Sequence, residues 1–135
     1  MLHPVHPLTS HALPSHKRRS TLLLSFLFLR RYNSNSVHRG EYAGEGQRVA
    51  VEALLYSGGV DACFYGHVHS YERSRRVLNN TVDPCGPVHV VVGDGGNREG
   101  IAGPWLQPQP RWSAFREASY GHGTLRVENA TRALW

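Results

Sequence analysis

The chain has 135 residues, which suits one domain of ordinary size or a piece of a larger one. A composition of 40% hydrophobic and 19% charged residues is that of a globular chain, and it excludes fibrous and wholly disordered proteins. The net charge of +5 lies in residues 1–31. In the rest of the chain, 10 basic residues (15 minus 5) are balanced by 10 acidic residues, which excludes the basic surface of a nucleic-acid-binding protein. No apolar run reaches about 18 residues, so no membrane-spanning helix is predicted.

The first segment, residues 1–19, mixes four histidines and three prolines with a basic end, and it has neither helical nor strand periodicity. We therefore expect a disordered leader here. Its histidines do not repeat at the spacing of metal ligands, which favours a solvated tail over a metal site.

Residues 20–29, STLLLSFLFL, follow three basic residues and allow two interpretations. The succession of basic and apolar regions imitates a signal peptide. A buried strand fits equally well, because Arg30 and Arg31 follow at once and no small-residue cleavage site appears. The segment is therefore not a clear signal peptide, and both interpretations stay open.

Residues 45–57 have the best helical pattern in the chain. Apolar and small residues share one stripe, which we expect to be buried: Val49, Ala50, Ala53, Leu54 and Ser57. Arg48 and Glu52 are four residues apart and are expected to pair on the solvent side. Gly58 and Gly59 end the helix by permitting a left-handed turn.

A short apolar run, Val60–Tyr65, follows the helix and predicts a strand. Strand, helix and strand in this order predict a right-handed crossover between parallel strands. Further strands are expected over residues 75–79, 88–92, 122–128 and 131–135, the last two as a closing hairpin. The predicted fold class is therefore α/β (α+β), with a strand-helix-strand unit followed by a mainly antiparallel β segment.

The two cysteines and two sequons bear on the compartment of the protein. Cys63 lies in an apolar run and is expected to be a buried thiol, whereas Cys85 lies in a loop and is open to a disulfide with another chain. Asn79 and Asn129 begin Asn-x-Thr sequons, which are glycosylated only in a secreted chain. Together these features lean towards an oxidising, secretory compartment.

The most informative stretch is GHVHSYER, residues 66–73, directly after the second strand. In an extended backbone, His67 and His69 would point to the same side of the chain at the carboxyl end of that strand. Open α/β sheets place their sites at such ends, and neutral imidazole suits first-row transition metals. Gly66 lets the backbone turn without a Cβ in the way.

This stretch resembles the metal-binding signature of the purple acid phosphatases, which are members of the metallophosphoesterase superfamily. The upstream segment RYNSNSVHRGEYAGEGQ and the downstream segments CGPVHVVVGDGGNREG and PRWSAFREASYGHGTLRVENATRALW are also similar to that family, in collinear order. The resemblance covers residues 32–135. It implies that residues 20–135 form an incomplete metallophosphoesterase domain, part of a four-layered α/β/β/α sandwich with exposed apolar surface and marginal stability.

The resemblance implies a catalytic centre with Fe(III) and a divalent Zn, Mn or Fe ion, in which a bridging hydroxide attacks a phosphate monoester. His67 would match the histidine on the divalent ion and His69 the histidine on the ferric ion. His38 would match a histidine that contacts substrate and protonates the leaving group, a role suited to imidazolium. Two cations can lower the pKa of a shared water and offset charge during in-line displacement.

Residues around the two histidines are expected to support them rather than to react. Glu72 and Arg73 are expected to form a buried or half-buried ion pair that braces the histidine loop, and Tyr71 is expected to pack. Asp94 is expected in a turn that ends a strand, and His89 and His122 in structural roles.

The chain departs from the family before residue 32. Three metal-binding elements of the family have no match in this chain: the first metal-binding Asp, the Gly-Asp-x-x-Tyr element and the Gly-Asn-His-Glu element. Phe28 stands where the family has another metal-ligating His. Two imidazoles without a carboxylate leave Fe(III) uncompensated, because hard ferric ion prefers oxygen donors. We therefore expect this polypeptide alone to hydrolyse little or nothing.

Two function hypotheses follow. The first is the carboxyl-terminal portion of a phosphate monoesterase, completed by a longer product or a complementary chain. The alternative is a non-catalytic fragment with weak metal affinity, which forms a homodimer or binds a full-length relative through a sheet edge. By the resemblance the protein is secreted or vacuolar; its leader is either a targeting segment or the product of a truncated or misjoined gene.

Overall fold

The computed structural model describes residues 5–9, 24–27 and 44–135. These residues form the helix α1 (Gly44–Ser57), which confirms the predicted helix. The strands in chain order are β1 (Pro7–Thr9), β2 (Leu24–Leu27), β3 (Ala62–Tyr65), β4 (Tyr71–Leu78), β5 (Thr81–Val82), β6 (Val88–Val92), β7 (Ser113–Glu117), β8 (Arg126–Asn129) and β9 (Arg132–Leu134).

The strands form two sheets. The larger sheet has the order β2-β3-β6-β4-β5, with β7 paired to β4, and the smaller has the order β1-β9-β8. β2, β3 and β6 are parallel neighbours, whereas β4 runs antiparallel to β5, β6 and β7. The predicted parallel strand-helix-strand unit and the later antiparallel segment are both confirmed.

Two apolar clusters hold three layers together. One lies between the sheets, where Phe64, Tyr71 and Val90 of the larger sheet meet Leu8 and Ala133 of the smaller one. The other lies between the larger sheet and the helix: Leu55, Val60, Cys63 and Tyr65. The described residues therefore form three of the four layers of an α/β/β/α sandwich.

Alternation along β3 explains why its sequence is apolar throughout. Side chains on a strand point alternately to opposite faces. Phe64 belongs to the cluster between the sheets, whereas Cys63 and Tyr65 belong to the cluster under the helix. Burial on both faces requires a continuous apolar run. The predicted buried thiol is confirmed, since Cys63 is free and buried, and this burial raises its pKa to about 11.

The orientation predicted for the helix is wrong. Val49 and Leu54 are 64% and 69% exposed, whereas Arg48 and Glu52 are buried. The expected pair does form, with Arg48 Nη1 2.5 Å from Glu52 Oε2. The second oxygen, Glu52 Oε1, accepts a hydrogen bond from the backbone N–H of Asn79 at 2.8 Å. The pair is buried between the helix and the sheet because the Glu52 carboxylate bonds both to Arg48 and to the backbone of the β4–β5 turn.

β4 begins four residues before the strand predicted over 75–79. Its first four residues, Tyr71-Glu72-Arg73-Ser74, are all buried, so the polar–apolar alternation that reveals a strand is missing. β4 and β5 are joined by Asn79 and Asn80, whose φ angles of 48° and 57° suit a two-residue hairpin turn. β5 and β7 were not predicted.

The leader differs from the prediction at one place. Pro7–Thr9 forms a strand that pairs antiparallel with β9, and Leu8 is 1% exposed in the cluster between the sheets. His6 and Trp135 extend this pairing by exchanging backbone hydrogen bonds. The disorder predicted over residues 1–19 therefore does not hold for residues 5–9; the rest of that segment lies outside the described residues.

β2 lies within the segment that allowed two interpretations, and the structure shows a strand there. Among the described residues, no helix is long and apolar enough to cross a membrane.

Candidate metal centre

The two histidines of the GHVHSYER stretch lie in the loop between β3 and β4. His67 and His69 both line a cavity of about 520 Å³, whose opposite wall is the segment 99–102. His67 is exposed and His69 is half-buried. The loop thus brings the two histidines to one solvent-accessible cavity.

The backbone reaches this arrangement in an unexpected way. Extended backbone was predicted, but His67 has a φ of 73°. The N–H of Val68 donates to the carbonyl of Gly66 at 3.0 Å, and the N–H of Ser70 donates to the carbonyl of Val68 at 2.8 Å. These are two successive three-residue turns, and the first has the rare positive φ. Such a conformation costs free energy and persists only where the surroundings impose it.

Gly93, at the end of β6, imposes it. A Cβ on Gly93 would overlap the carbonyl oxygen of Val68 and lie 2.6 Å from its carbonyl carbon. Gly66, which was expected to provide the room, has no atom within 4 Å of where its Cβ would be. The close approach that only glycine permits therefore occurs at Gly93, and it fixes Val68, which is buried between the two histidines.

The segment 99–102 holds the other side of the loop. The N–H of Ala102 donates to the carbonyl of His69 at 2.8 Å. Glu99 Oε2 lies 3.7 Å from His69 Nε2, and its side chain is 71% exposed. Glu99 had no role in the sequence-based prediction, because no spacing rule links it to a histidine 30 residues earlier.

The neighbouring residues of β4 are structural. Tyr71 is buried, burial raises its pKa, and its hydroxyl accepts a hydrogen bond from Trp135 Nε1 at 2.9 Å. Consecutive residues on a strand face opposite sides, so Glu72 and Arg73 have different partners. Glu72 Oε1 accepts a hydrogen bond from the Ser113 hydroxyl at 2.6 Å, while Arg73 bonds to the Tyr71 hydroxyl. These contacts replace the ion pair that was expected.

The remaining polar residues lie apart from the cavity lining. His89 is buried, its Nδ1 is 2.8 Å from the Tyr65 hydroxyl, and burial lowers its pKa to about 3. This is the structural role predicted for it. Asp94 is buried, and its carbonyl accepts a hydrogen bond from the N–H of Gly121 at 3.0 Å. His122 is exposed.

Comparison with known proteins decides which family builds such a loop. The family model described as iron/zinc purple acid phosphatase-like protein C matches residues 86–135. The chain is 51% identical over 119 residues to purple acid phosphatase 18 of Arabidopsis thaliana, covering 88% of this chain and 27% of that protein. It is 54% identical over 104 residues to purple acid phosphatase 22 of the same plant, covering 77% and 24%. The chain belongs to the purple acid phosphatase family.

A solved structure agrees with the sequence matches. Purple acid phosphatase PPD1 from yellow lupin (Lupinus luteus) seeds matches with a TM-score of 0.58 and 27% identity, over 73% of this chain and 19% of that one. The chain spans about a quarter of the length of the purple acid phosphatases it matches. The predicted membership, restricted to the carboxyl-terminal part of the family, is confirmed.

The donor set does not fit a purple acid phosphatase metal pair by itself. Within residues 5–9, 24–27 and 44–135, no group of three or more His, Cys, Asp or Glu side chains is arranged to hold a metal ion. Two imidazoles with one distant carboxylate are a poor match for Fe(III), which prefers oxygen donors. His38, the predicted proton donor, lies outside the described residues.

Both predicted glycosylation sites lie at the turns of β-hairpins, one between β4 and β5 and the other between β8 and β9. Asn79 is exposed in the turn between β4 and β5. Asn129 is exposed at the end of β8, where its Oδ1 accepts hydrogen bonds from the N–H of Thr131 at 2.9 Å and its hydroxyl at 3.0 Å. A glycan at either turn would extend into solvent.

Proposed function

We propose that this chain carries the two-histidine corner of a purple acid phosphatase active site, and that the complete protein hydrolyses phosphate monoesters. The observation that supports this most is that His67 and His69 line one accessible cavity at the end of β3. The family membership of the chain supports the reaction class. In the complete protein, His67 would bind a divalent Zn, Mn or Fe ion and His69 an Fe(III) ion, and His38 would protonate the leaving group.

The contribution of the chain itself is to present two imidazoles in a fixed loop. Contacts from Gly93 and Ala102 hold the backbone at Val68, between the histidines, and at His69. A loop fixed in this way presents ligands with little loss of conformational entropy on binding. The other ligands would come from the part of a purple acid phosphatase that this chain does not match.

For the polypeptide alone, we propose little or no hydrolysis. This alternative, a non-catalytic fragment with weak metal affinity, is favoured by the lack of a third ligand among the described residues. The test is release of nitrophenol from its phosphate ester by purified chain with iron and zinc at mildly acidic pH. The proposal that the chain alone is inactive would be overturned by metal-dependent release of nitrophenol that is lost in His67→Ala and His69→Ala. The exposed control variant His122→Ala should keep that release.

The catalytic role of the histidines requires a complete protein for its test. In a chimera, residues 44–135 of this chain replace the corresponding segment of purple acid phosphatase 18 from Arabidopsis thaliana, to which this chain is 51% identical. We expect the chimera to release nitrophenol, and His67→Ala or His69→Ala in it to abolish release while His122→Ala does not. An active chimera that tolerates both histidine substitutions would contradict the proposed site.

We propose further that the protein is a secreted or vacuolar glycoprotein, with glycans on Asn79 and Asn129, and that it associates with a second copy or a full-length relative. Exposure of both asparagines supports the first part. Expression in plant cells, followed by N-glycosidase treatment, should reduce the apparent mass, and Asn79→Gln with Asn129→Gln should remove that shift. Sedimentation analysis checks the association; a strictly monomeric chain that binds no relative would contradict it.

A further inference from the structure

A second cavity lies beside β4, on residues that the histidine cavity does not share. Its volume is about 370 Å³, and three arginines of β4 line it, Arg73, Arg75 and Arg76, together with His6. No acidic side chain is in its lining. The cavity is therefore bordered by positive charge.

Arg73 is the deepest of these groups, with only 9% of its surface exposed. Its guanidinium bonds to the Tyr71 hydroxyl, and among the described residues no carboxylate lies within ion-pair distance of it. The neighbouring Arg76, by contrast, pairs with Asp61 at 3.3 Å. A buried cation is normally paired, because its lost hydration must be replaced. Arg73 departs from that rule.

The neighbours of Arg73 respond to its charge. Burial lowers the pKa of Arg73, its contact with the Tyr71 hydroxyl raises it in part, and the charge of Arg75 lowers it again. The pKa of His6 is lowered by burial and then by the charge of Arg73, against a backbone hydrogen bond to Pro7 that raises it. Burial is the largest cause of both shifts, and repulsion between the positive charges acts in the same direction.

We propose that this cavity binds a phosphoryl oxyanion, free or carried by an ester, with Arg73 at its floor and the exposed Arg75 at its mouth. Guanidinium groups match phosphate oxygens in a two-pronged geometry and remain charged at any working pH. Arg75 Nε is taken by the carbonyl of Arg111 at 3.0 Å, which orients the side chain without neutralising it. The site needs no metal ion and is independent of the hydrolytic function proposed above.

The test is calorimetric titration of the full chain with inorganic phosphate in the presence of a chelator. We expect Arg75→Gln to weaken binding by about tenfold or more, the loss expected for one charge-assisted hydrogen bond. Arg98→Gln is the matched control, since it removes the same charge from an exposed arginine outside the cavity. Arg75 is itself exposed, so its variant is expected to fold.

Further arms identify the place and the source of the anion. The double variant His67→Ala/His69→Ala should bind phosphate as the unaltered chain does, because the histidine cavity is not involved. A titration with glycerol 3-phosphate identifies the source of the anion. If the natural ligand is an ester, glycerol 3-phosphate should bind more tightly than inorganic phosphate; if it is the free anion, glycerol 3-phosphate should bind no more tightly. Equal weakening by Arg75→Gln and Arg98→Gln, loss of binding in the histidine variant, or failure of both anions to bind would overturn the proposal.

Discussion

Acid should weaken the folded chain through His89. This imidazole is 1% exposed, and burial lowers its pKa to about 3, whereas an imidazole in the unfolded chain titrates near 6.5. The unfolded state therefore binds the proton more readily than the folded state. Stability that is present above the unfolded pKa is lost as the pH falls towards the folded pKa.

The size of the effect follows from the two pKa values. The difference between the two pKa values corresponds to a loss of ~5 kcal/mol in the free energy of unfolding over the whole pH range. About 2 kcal/mol of this loss falls between about pH 7 and about pH 5. The upper part of the range is the cleaner one, because Asp and Glu in unfolded chains begin to titrate at about pH 5 and below. A loss of ~2 kcal/mol is a large fraction of the stability of a domain this small.

Urea unfolding followed by tryptophan fluorescence measures this loss at a series of pH values. His89→Asn is the matched variant, since the Asn amide keeps a group near Nδ1 for the Tyr65 hydroxyl but does not titrate. We expect it to be less stable than the unaltered chain at neutral pH and to lose ~2 kcal/mol less on acidification to about pH 5. His6, whose pKa is also lowered, contributes equally to both chains and cancels. Parallel pH profiles of the two chains would refute the reasoning.

Three further predictions concern the loop, the helix and the thiols. Gly93→Ala should destabilise the chain by ~1–3 kcal/mol in urea unfolding, because its Cβ would overlap the loop backbone, whereas Gly95→Ala, with open space around it, should change little. Glu52→Gln should cost ~3 kcal/mol because it removes the carboxylate charge that faces the buried Arg48, while Glu99→Gln on the surface should stay within ~0.5 kcal/mol; equal losses would contradict this. Cys63 should resist a thiol reagent in the folded chain, since burial raises its pKa to about 11, and react once urea unfolds it; rapid modification of Cys63 itself, as distinct from the half-buried Cys85, in the folded chain would contradict its burial.

The sequence predicted the elements that are apolar on both faces or strictly periodic. β3 is a continuous apolar run and β6 is one apart from His89, and both were placed within two residues of their observed bounds. The helix was placed correctly but turned to the wrong side. Periodicity ranks Val49 and Leu54 as the buried face, and it carries no information about a carboxylate that is needed by a turn elsewhere in the chain. That contact depends on tertiary structure alone.

The same limit applies to Leu8 in the leader. One leucine among histidines and prolines has no periodic partner, so the sequence predicted disorder there. Its burial depends on β9, which lies more than 120 residues later and offers an edge for pairing. Long-range pairing of this kind cannot be read from a local window. It also places His6 against Arg73, which no motif connects.

The place of the two histidines after β3 was predictable from the sequence, but the geometry of the loop was not. The motif located His67 and His69, yet the loop that carries them is turned by a positive φ rather than extended. Its shape is imposed by contacts from Gly93 and the segment 99–102, all within this chain. The geometry of this corner therefore does not depend on the ligands that the family supplies from elsewhere. If the isolated chain binds metal weakly, the cause is the number of its donors rather than disorder of the loop, and donors supplied in the chimera should restore binding without reshaping it.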